Sequence, residues 1–141
     1  MSIEIAQITN SADLEKAFVI RKQVFCVEQN VSEEIEMDEF DDAATTHILA
    51  YINGNPVGTA RWRFTEVGAK MERFAVLKEH RGKGVGKVLV NYTLDKLKDN
   101  DFIYLNAQES VITFYEKFGF EVVGNRFYEA DIPHKKMILK R

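Results

Sequence analysis

Apolar residues at alternate positions open the chain, and Ile3 and Ile5, with Ile8 beyond them, predict a first strand. Asn10 or Ser11 then offers a side-chain oxygen to cap a helix, whose Leu14, Ala17, Phe18, Val24 and Phe25 mostly follow helical spacing. The period is lost over residues 28–42, so an irregular segment is expected there. Two apolar runs at 46–52 and 57–64 flank Asn53-Gly54-Asn55-Pro56, which predicts a hairpin. A strand at 70–77 runs into a glycine-rich loop, and Val85, Val88, Leu89, Tyr92 and Lys96 are expected on one face of the helix that follows, with Asp99-Asn100-Asp101 ending it. Residues 102–107 predict a strand, 110–118 a short helix stopped by Gly119, and 120–123 and 135–139 the closing strands. The order βα, ββ, β, αβαββ points to a mixed α/β sheet flanked by helices, with the loop at a strand-to-helix junction.

Composition narrows the class. The 141 residues, 45% hydrophobic and 29% charged, suit a single domain over 1–141 with its own core. No apolar run approaches the roughly 20 residues of a membrane span, and the first residues lack the pattern of a signal peptide, so a cytoplasmic protein is expected. Cys26 is the only cysteine, which excludes an internal disulfide. Net charge is −3 and no basic stripe carries interleaved aromatics, which argues against nucleic acid as a partner.

The chemistry concentrates in Arg81-Gly82-Lys83-Gly84-Val85-Gly86, set between a strand and a helix. Closely spaced glycines and the positive end of a helix dipole bring backbone N–H groups to one point, an anion site. Lys78, His80, Arg81, Lys83 and Lys87 add cations, so phosphate or pyrophosphate is the natural guest. A nucleoside-triphosphate loop needs a glycine where Arg81 stands and a Ser or Thr where Val88 stands. A dinucleotide fingerprint needs its third glycine at Lys87. Neither pattern fits.

The remaining pattern, Arg-x-x-Gly-x-Gly after a strand, resembles the acetyl-coenzyme A loop of the GNAT N-acetyltransferases. Far along the chain, Phe114-Tyr115-Glu116-Lys117-Phe118-Gly119-Phe120 is similar to the segment that follows the fifth strand in that superfamily. Val24-Phe25-Cys26-Val27-Glu28-Gln29, Asp38, Asp41, His47, Gly58-Thr59-Ala60-Arg61, Glu72-Arg73, Ala107-Gln108 and Ile132-Pro133-His134 resemble its ElaA-like branch. The resemblance implies acetyl-CoA as co-substrate, no metal, and a cofactor site of Phe74, Ala75, Val76, Arg81, Gly82, Lys83, Gly84, Val85, Gly86, Lys87, Gln108 and Tyr115. Gln108 stands where many members carry Asn; the branch that the chain resembles carries Gln there.

Acyl transfer to an amine needs a group that takes a proton from nitrogen, since an alkylamine of pKa about 10.4 is mostly protonated near neutrality, and an acid near the departing sulfur. By resemblance Tyr115 is the candidate acid; the plainer reading is a core aromatic. Glu72, two residues from Phe74 and so expected on the same face, is a candidate base or an ordinary salt-bridge partner of Arg61 or Arg63. His134, His47 and water are further candidates for the base. Cys26 is read as a small buried residue.

Glu28, Glu33, Glu34, Glu36, Asp38, Glu39, Asp41 and Asp42 form either an acidic mouth for a cationic amine or a solvated charged loop. Arg61, Arg63 and Arg73 would instead favour an acceptor bearing a carboxylate. The expected partner is an amine of a small molecule or peptide, handled by a monomer or homodimer, with a non-catalytic CoA-binding module as the alternative.

Overall fold

The computed structural model describes residues 2–38 and 45–140, so Glu39, Asp41 and Asp42 of the acidic run lie outside the described residues. One seven-stranded sheet has the order β1-β2-β3-β4-β5-β7-β6. Its strands are β1 (Ile3–Gln7), β2 (Thr46–Ile52), β3 (Asn55–Phe64), β4 (Ala69–Val76), β5 (Ile103–Gln108), β6 (Phe120–Glu129) and β7 (Ile132–Leu139). Every neighbouring pair is antiparallel except β4 and β5.

Asn10 caps α1 (Ser11–Arg21) through its side-chain oxygen, which accepts from the Asp13 N–H at 2.8 Å. The helix widens into a π-helical stretch, Lys22–Glu28. Ser32 then caps a single turn, α2 (Glu33–Glu36), inside the segment expected to be irregular. On one face of the sheet, Ala17, Ile20 and Val24 of this helical run pack on Leu49 and Ala75.

The other face carries α3 (Val85–Lys96) and α4 (Ile112–Glu116) over Ile48, Trp62, Met71, Leu105 and Met137. The buried stripe of α3 is Val85, Leu89, Val90 and Thr93, continued by Leu97; Lys96 is exposed, and Val88 and Tyr92 only half-buried, so the face expected for this helix is rotated. Gly58 explains the seating of the helix. A Cβ there would lie 2.9 Å from Val85 Cγ1 and 3.2 Å from Leu89 Cδ1, so only glycine lets α3 approach β3 this closely.

Positive φ at Asn53 and Gly54 makes the two-residue turn of the β2–β3 hairpin, and β3 resumes at Asn55. The β6–β7 hairpin is longer than expected because Ala130 and Asp131 adopt positive φ without a glycine to announce the turn.

Two features open the site. First, β4 and β5 pair only through Ala69–Ile103, Lys70–Tyr104 and Met71–Leu105; beyond these β5 stays with β7 and β4 with β3, and the sheet splits. Second, β4 bulges at the split: Arg61 pairs with Glu72 but Thr59 with Ala75, so two residues face one, and Arg73 takes a left-handed φ of 57°. The bulge reverses side-chain alternation. Phe74 and Val76 pack with the α3 face, while Glu72 points to the α1 face among arginines. The expectation that Glu72 and Phe74 share a face is therefore wrong; it assumed an unbroken period of two.

Candidate active site

The loop after β4 forms a backbone cradle. Gly82 and Gly84 have φ of 81° and 87°, and Gly84 is the N-cap of α3, with no side chain capping the helix. A Cβ at Gly82 or Gly84 would meet nothing within 4 Å, so the space before the helix N-terminus is open. Gly86 is tighter, with a Cβ placed 3.3 Å from Phe114 Cζ. Unpaired N–H groups at that end, with Lys83 and Lys87 beside them, fit an anionic phosphate group. Arg81, expected as one more cation for the anion, is already engaged. Its Nη1 and Nη2 pair with Glu28 at 2.9 Å each and its Nε donates to the Val76 carbonyl at 3.0 Å, so it braces the loop against the π-helical stretch.

From this cradle a cleft of about 890 Å³ runs through the split between β4 and β5. Phe74, Ala75 and Val76 line one wall along the strand edge that lacks a β5 partner, and Leu105, Ala107 and Gln108 line the other. Tyr115 lies at this passage, packed edge-on against Phe74, Phe114 and Phe120 with ring centroids 6.3, 5.1 and 6.0 Å away. It is the buried residue of α4, and Phe114 and Phe118 pack half-buried against the same core. Burial pushes the Tyr115 phenol above its ordinary value, so it stays protonated at any working pH. Among the described residues nothing hydrogen-bonds its hydroxyl, and the residue lines the cleft.

The β4 wall of the far end is a web of ion pairs. The Glu72 carboxylate takes Arg63 Nε at 2.8 Å, Lys70 Nζ at 3.0 Å and Arg61 Nε at 3.2 Å. Burial raises its pKa, but Arg63, Arg61 and Lys70 outweigh burial and hold the carboxyl below its ordinary value. A carboxylate so stabilised is a poorer proton acceptor, which weighs against Glu72 as the direct base and favours the salt-bridge reading. Arg61 Nη1 and Nη2 also reach Asp38 at 2.8 Å each, and Arg73 Nη2 reaches Asp38 at 3.2 Å and the Glu36 carbonyl at 3.3 Å. The left-handed backbone of Arg73 costs about 1–3 kcal/mol. These contacts, and the register on either side, hold it there.

Four acids of the described part of the run are paired, while Glu34 is exposed and has no ion pair among the described residues. Glu28 pairs with Arg81, Glu33 with Lys22, Glu36 with buried Arg21, and Asp38 with Arg61 and Arg73. Glu28, Glu36 and Asp38 are neither an acidic mouth nor a solvated loop, whereas the Glu33–Lys22 pair stays exposed on the surface. The first three fasten the segment after α1 to α1, to the core strands and to the loop.

The opposite wall comes from β5, β7 and β6. Gln108 donates to Gln29 Oε1 of the segment after the π-helical stretch at 2.8 Å, so its amide bridges the cleft's walls. His134 pairs with Gln108 across β5–β7 and therefore stands on the same face. Its Nδ1 lies 2.7 Å from the Ile132 carbonyl, its ring stacks on Phe127 at 5.9 Å, and its Nε2 lies 3.8 Å from Glu129 Oε2. Glu129 Oε1 accepts from Asn106 Nδ2 at 3.3 Å. Asn106 and Glu129 were missed in the sequence. Asn106 sits mid-strand with no motif of its own, and Glu129 belongs to the part of β6 that the alternation did not reveal.

His47 is buried beside Phe18 and does not line the cleft. Cys26 does not line it either, and burial raises its thiol above the ordinary value. Among the described residues no cluster of three or more His, Cys, Asp or Glu is arranged to hold a metal, and no helix is long and apolar enough to cross a membrane.

The family model described as an acetyltransferase (GNAT) domain matches residues 9–141. The uncharacterized N-acetyltransferase YjcF of Bacillus subtilis (strain 168) is 40% identical over 133 residues, spanning 92% of this chain and 94% of that protein. Protein ElaA of Escherichia coli (strain K12) is 32% identical over 122 residues, spanning 82% of this chain and 79% of that one. The crystal structure of Escherichia coli ElaA superposes with a TM-score of 0.88 at 29% identity, covering 99% of this chain and 100% of that one. An acyl-CoA N-acyltransferase from Pseudomonas aeruginosa gives a TM-score of 0.88 at 26% identity over the same shares.

Proposed function

The chain belongs to the GNAT acetyltransferase family and is ElaA-like, and from that premise we propose that it moves the acetyl group of acetyl-CoA to a primary amine of a small molecule or peptide by direct attack in a ternary complex. The observation that carries this reading is one continuous cleft that joins the N-terminus of α3 to a polar chamber on the opposite face of the sheet. A phosphorylated co-substrate and a separate acceptor can thus meet at the split between β4 and β5.

Acetyl-CoA supplies an acyl carbon activated as a thioester. In this reading Gly82, Lys83, Gly84, Val85, Gly86 and Lys87 receive its pyrophosphate, and the free edge of β4 at Phe74, Ala75 and Val76 receives the arm. Arg81 shapes the loop through Glu28 and does not contact the phosphates directly. Gln108 fixes the wall opposite β4. Tyr115 donates a hydrogen bond to the sulfur; with a phenol pushed above an ordinary pKa of about 10, against about 8.5 for a thiol, complete loss of its proton is uphill. Glu72 keeps its charge and orders Arg61, Arg63 and Lys70 under the acceptor end.

Direct attack leaves no acyl group on the protein. Initial rates with both substrates varied are expected to give intersecting reciprocal plots, and mass spectrometry to find Cys26 unacetylated. Parallel lines together with an acetyl group on Cys26 at a competent rate would establish a two-step covalent route instead.

A further inference from the structure

With Glu72 engaged by three cations, the amine proton calls for another acceptor, and the wall opposite β4 contains a group placed to receive it. His134 lines the cleft and is 7% exposed, so its ring is held by protein and not by bulk water. The Ile132 carbonyl at 2.7 Å from Nδ1 has no hydrogen to give, so Nδ1 carries the proton and donates. Nε2 of the neutral ring is then the lone-pair nitrogen. Among the described residues no donor occupies it, and the charged group facing it is Glu129 of β6, at 3.8 Å.

Around the ring, Phe127 stacks on it from β6, Gln108 stands opposite it on β5, and Asn106 of β5 holds the second oxygen of Glu129 at 3.3 Å. A proton arriving on Nε2 would thus meet a carboxylate already oriented by Asn106. A fixed tautomer and an open nitrogen are what base catalysis by a histidine requires, and the carboxylate beside the ring helps to orient it.

We propose that His134 is the general base that takes the amine proton and that Glu129 is its positioning residue; this rests on the acetyl-transfer reading above. The protons balance. Nε2 takes one proton from the bound ammonium and later releases it to solvent. The neutral amine uses its lone pair to form the N–C bond to the acyl carbon as the C–S bond breaks, and sulfur leaves with that electron pair. Nitrogen then loses a second proton, and sulfur gains one. The net result is amide, thiol and one free proton from ammonium and thioester.

The test is the pH dependence of thiol release by wild type, His134→Gln and Glu129→Gln, using saturating acetyl-CoA and the fastest acceptor from a panel of polyamines, aminoglycosides, amino acids and short peptides. His134→Gln is expected to lose about 10²-fold in kcat near neutrality, with acetyl-CoA affinity unchanged. The shortfall should shrink as pH rises toward the amine pKa, because free amine then needs no base. Glu129→Gln keeps the ring, so it serves if His134→Gln does not fold; it should lose several-fold in kcat while the acceptor KM stays near the wild-type value. An active wild type with both variants at the wild-type rate overturns the assignment of the base alone. So does a loss in His134→Gln that is the same at every pH, the mark of a structural role. A wild type that binds acetyl-CoA but releases no thiol with any acceptor overturns the acetyl-transfer reading, and this assignment with it.

Discussion

A single Cβ is enough to probe the cradle at Gly84. The residue sits at φ 87° with nothing within 4 Å of the position a Cβ would take, so a methyl group meets no protein atom. Gly84→Ala therefore costs about 1–2 kcal/mol of backbone strain and leaves the core intact. Its methyl would occupy space that a phosphate needs to reach the N–H groups of α3, and calorimetry should show at least about a tenfold loss of acetyl-CoA affinity, or 1.4 kcal/mol. Unchanged affinity in the folded variant would mean that the phosphates bind elsewhere. Tyr115→Phe retains the three edge-on ring contacts and deletes the hydroxyl. General-acid contributions run to about 10²–10⁴-fold, and a hydrogen bond to a fair leaving group belongs at the bottom of that scale. A fall in kcat of about 10- to 100-fold is expected, largely recovered with a more acidic leaving thiol. Wild-type turnover with chemistry rate-limiting would reduce Tyr115 to a packing residue.

At the scale of elements, the bulge in β4 separates what the chain announces from what it conceals. The β2–β3 hairpin and the stop at Gly119 were legible because Asn-Gly and a post-helical glycine act locally, through φ values of 52°, 79° and 97°. Whether Glu72 faces the same side as Phe74 was not legible, because the parity of a strand depends on its register against β3, a partner more than ten residues earlier in the chain. The β6–β7 turn hid for a related reason: Ala130 and Asp131 are held in left-handed conformations by the pairing around them and not by their own preference.

The bulge also delivers Glu72 to its three cations, with a measurable consequence. Its folded pKa lies below the ordinary 4.5, so as pH falls the unfolded chain takes up the proton first and the folded state loses its advantage. The contribution of Glu72 is full above that ordinary value and disappears as pH drops through the lower, folded one. Glu72→Gln should therefore be less stable than wild type by about 3 kcal/mol near pH 7, and the gap in denaturant unfolding should close as acid is added. A gap that stays constant down to about pH 3 would show that packing at this position, and not charge, is responsible.

Across the whole molecule, the split between β4 and β5 lets one cleft connect two faces that an intact sheet would keep apart. The glycine loop could be read from the sequence because all of its parts lie between Arg81 and Lys87 and act through backbone geometry. Tyr115 was reachable by its motif. Of the far chamber only His134 was reachable; that Glu129 and Asn106 join it was not, since the three come from three strands that meet only through the β5–β7–β6 pairing. Ion pairs between distant segments were equally hidden: Glu28 with Arg81 and Asp38 with Arg61 convert an acidic run that looks like a surface feature into fasteners of the cleft wall. The decisive measurement follows the acetyl group itself. The wild-type protein is incubated with acetyl-labelled acetyl-CoA and a panel of polyamines, aminoglycosides, amino acids and peptides, while thiol release and labelled amide are quantified together. Direct transfer predicts acceptor-dependent thiol release matched mole for mole by labelled amide on at least one amine, whereas thiol release without labelled amide, or none with any acceptor despite bound acetyl-CoA, would contradict it.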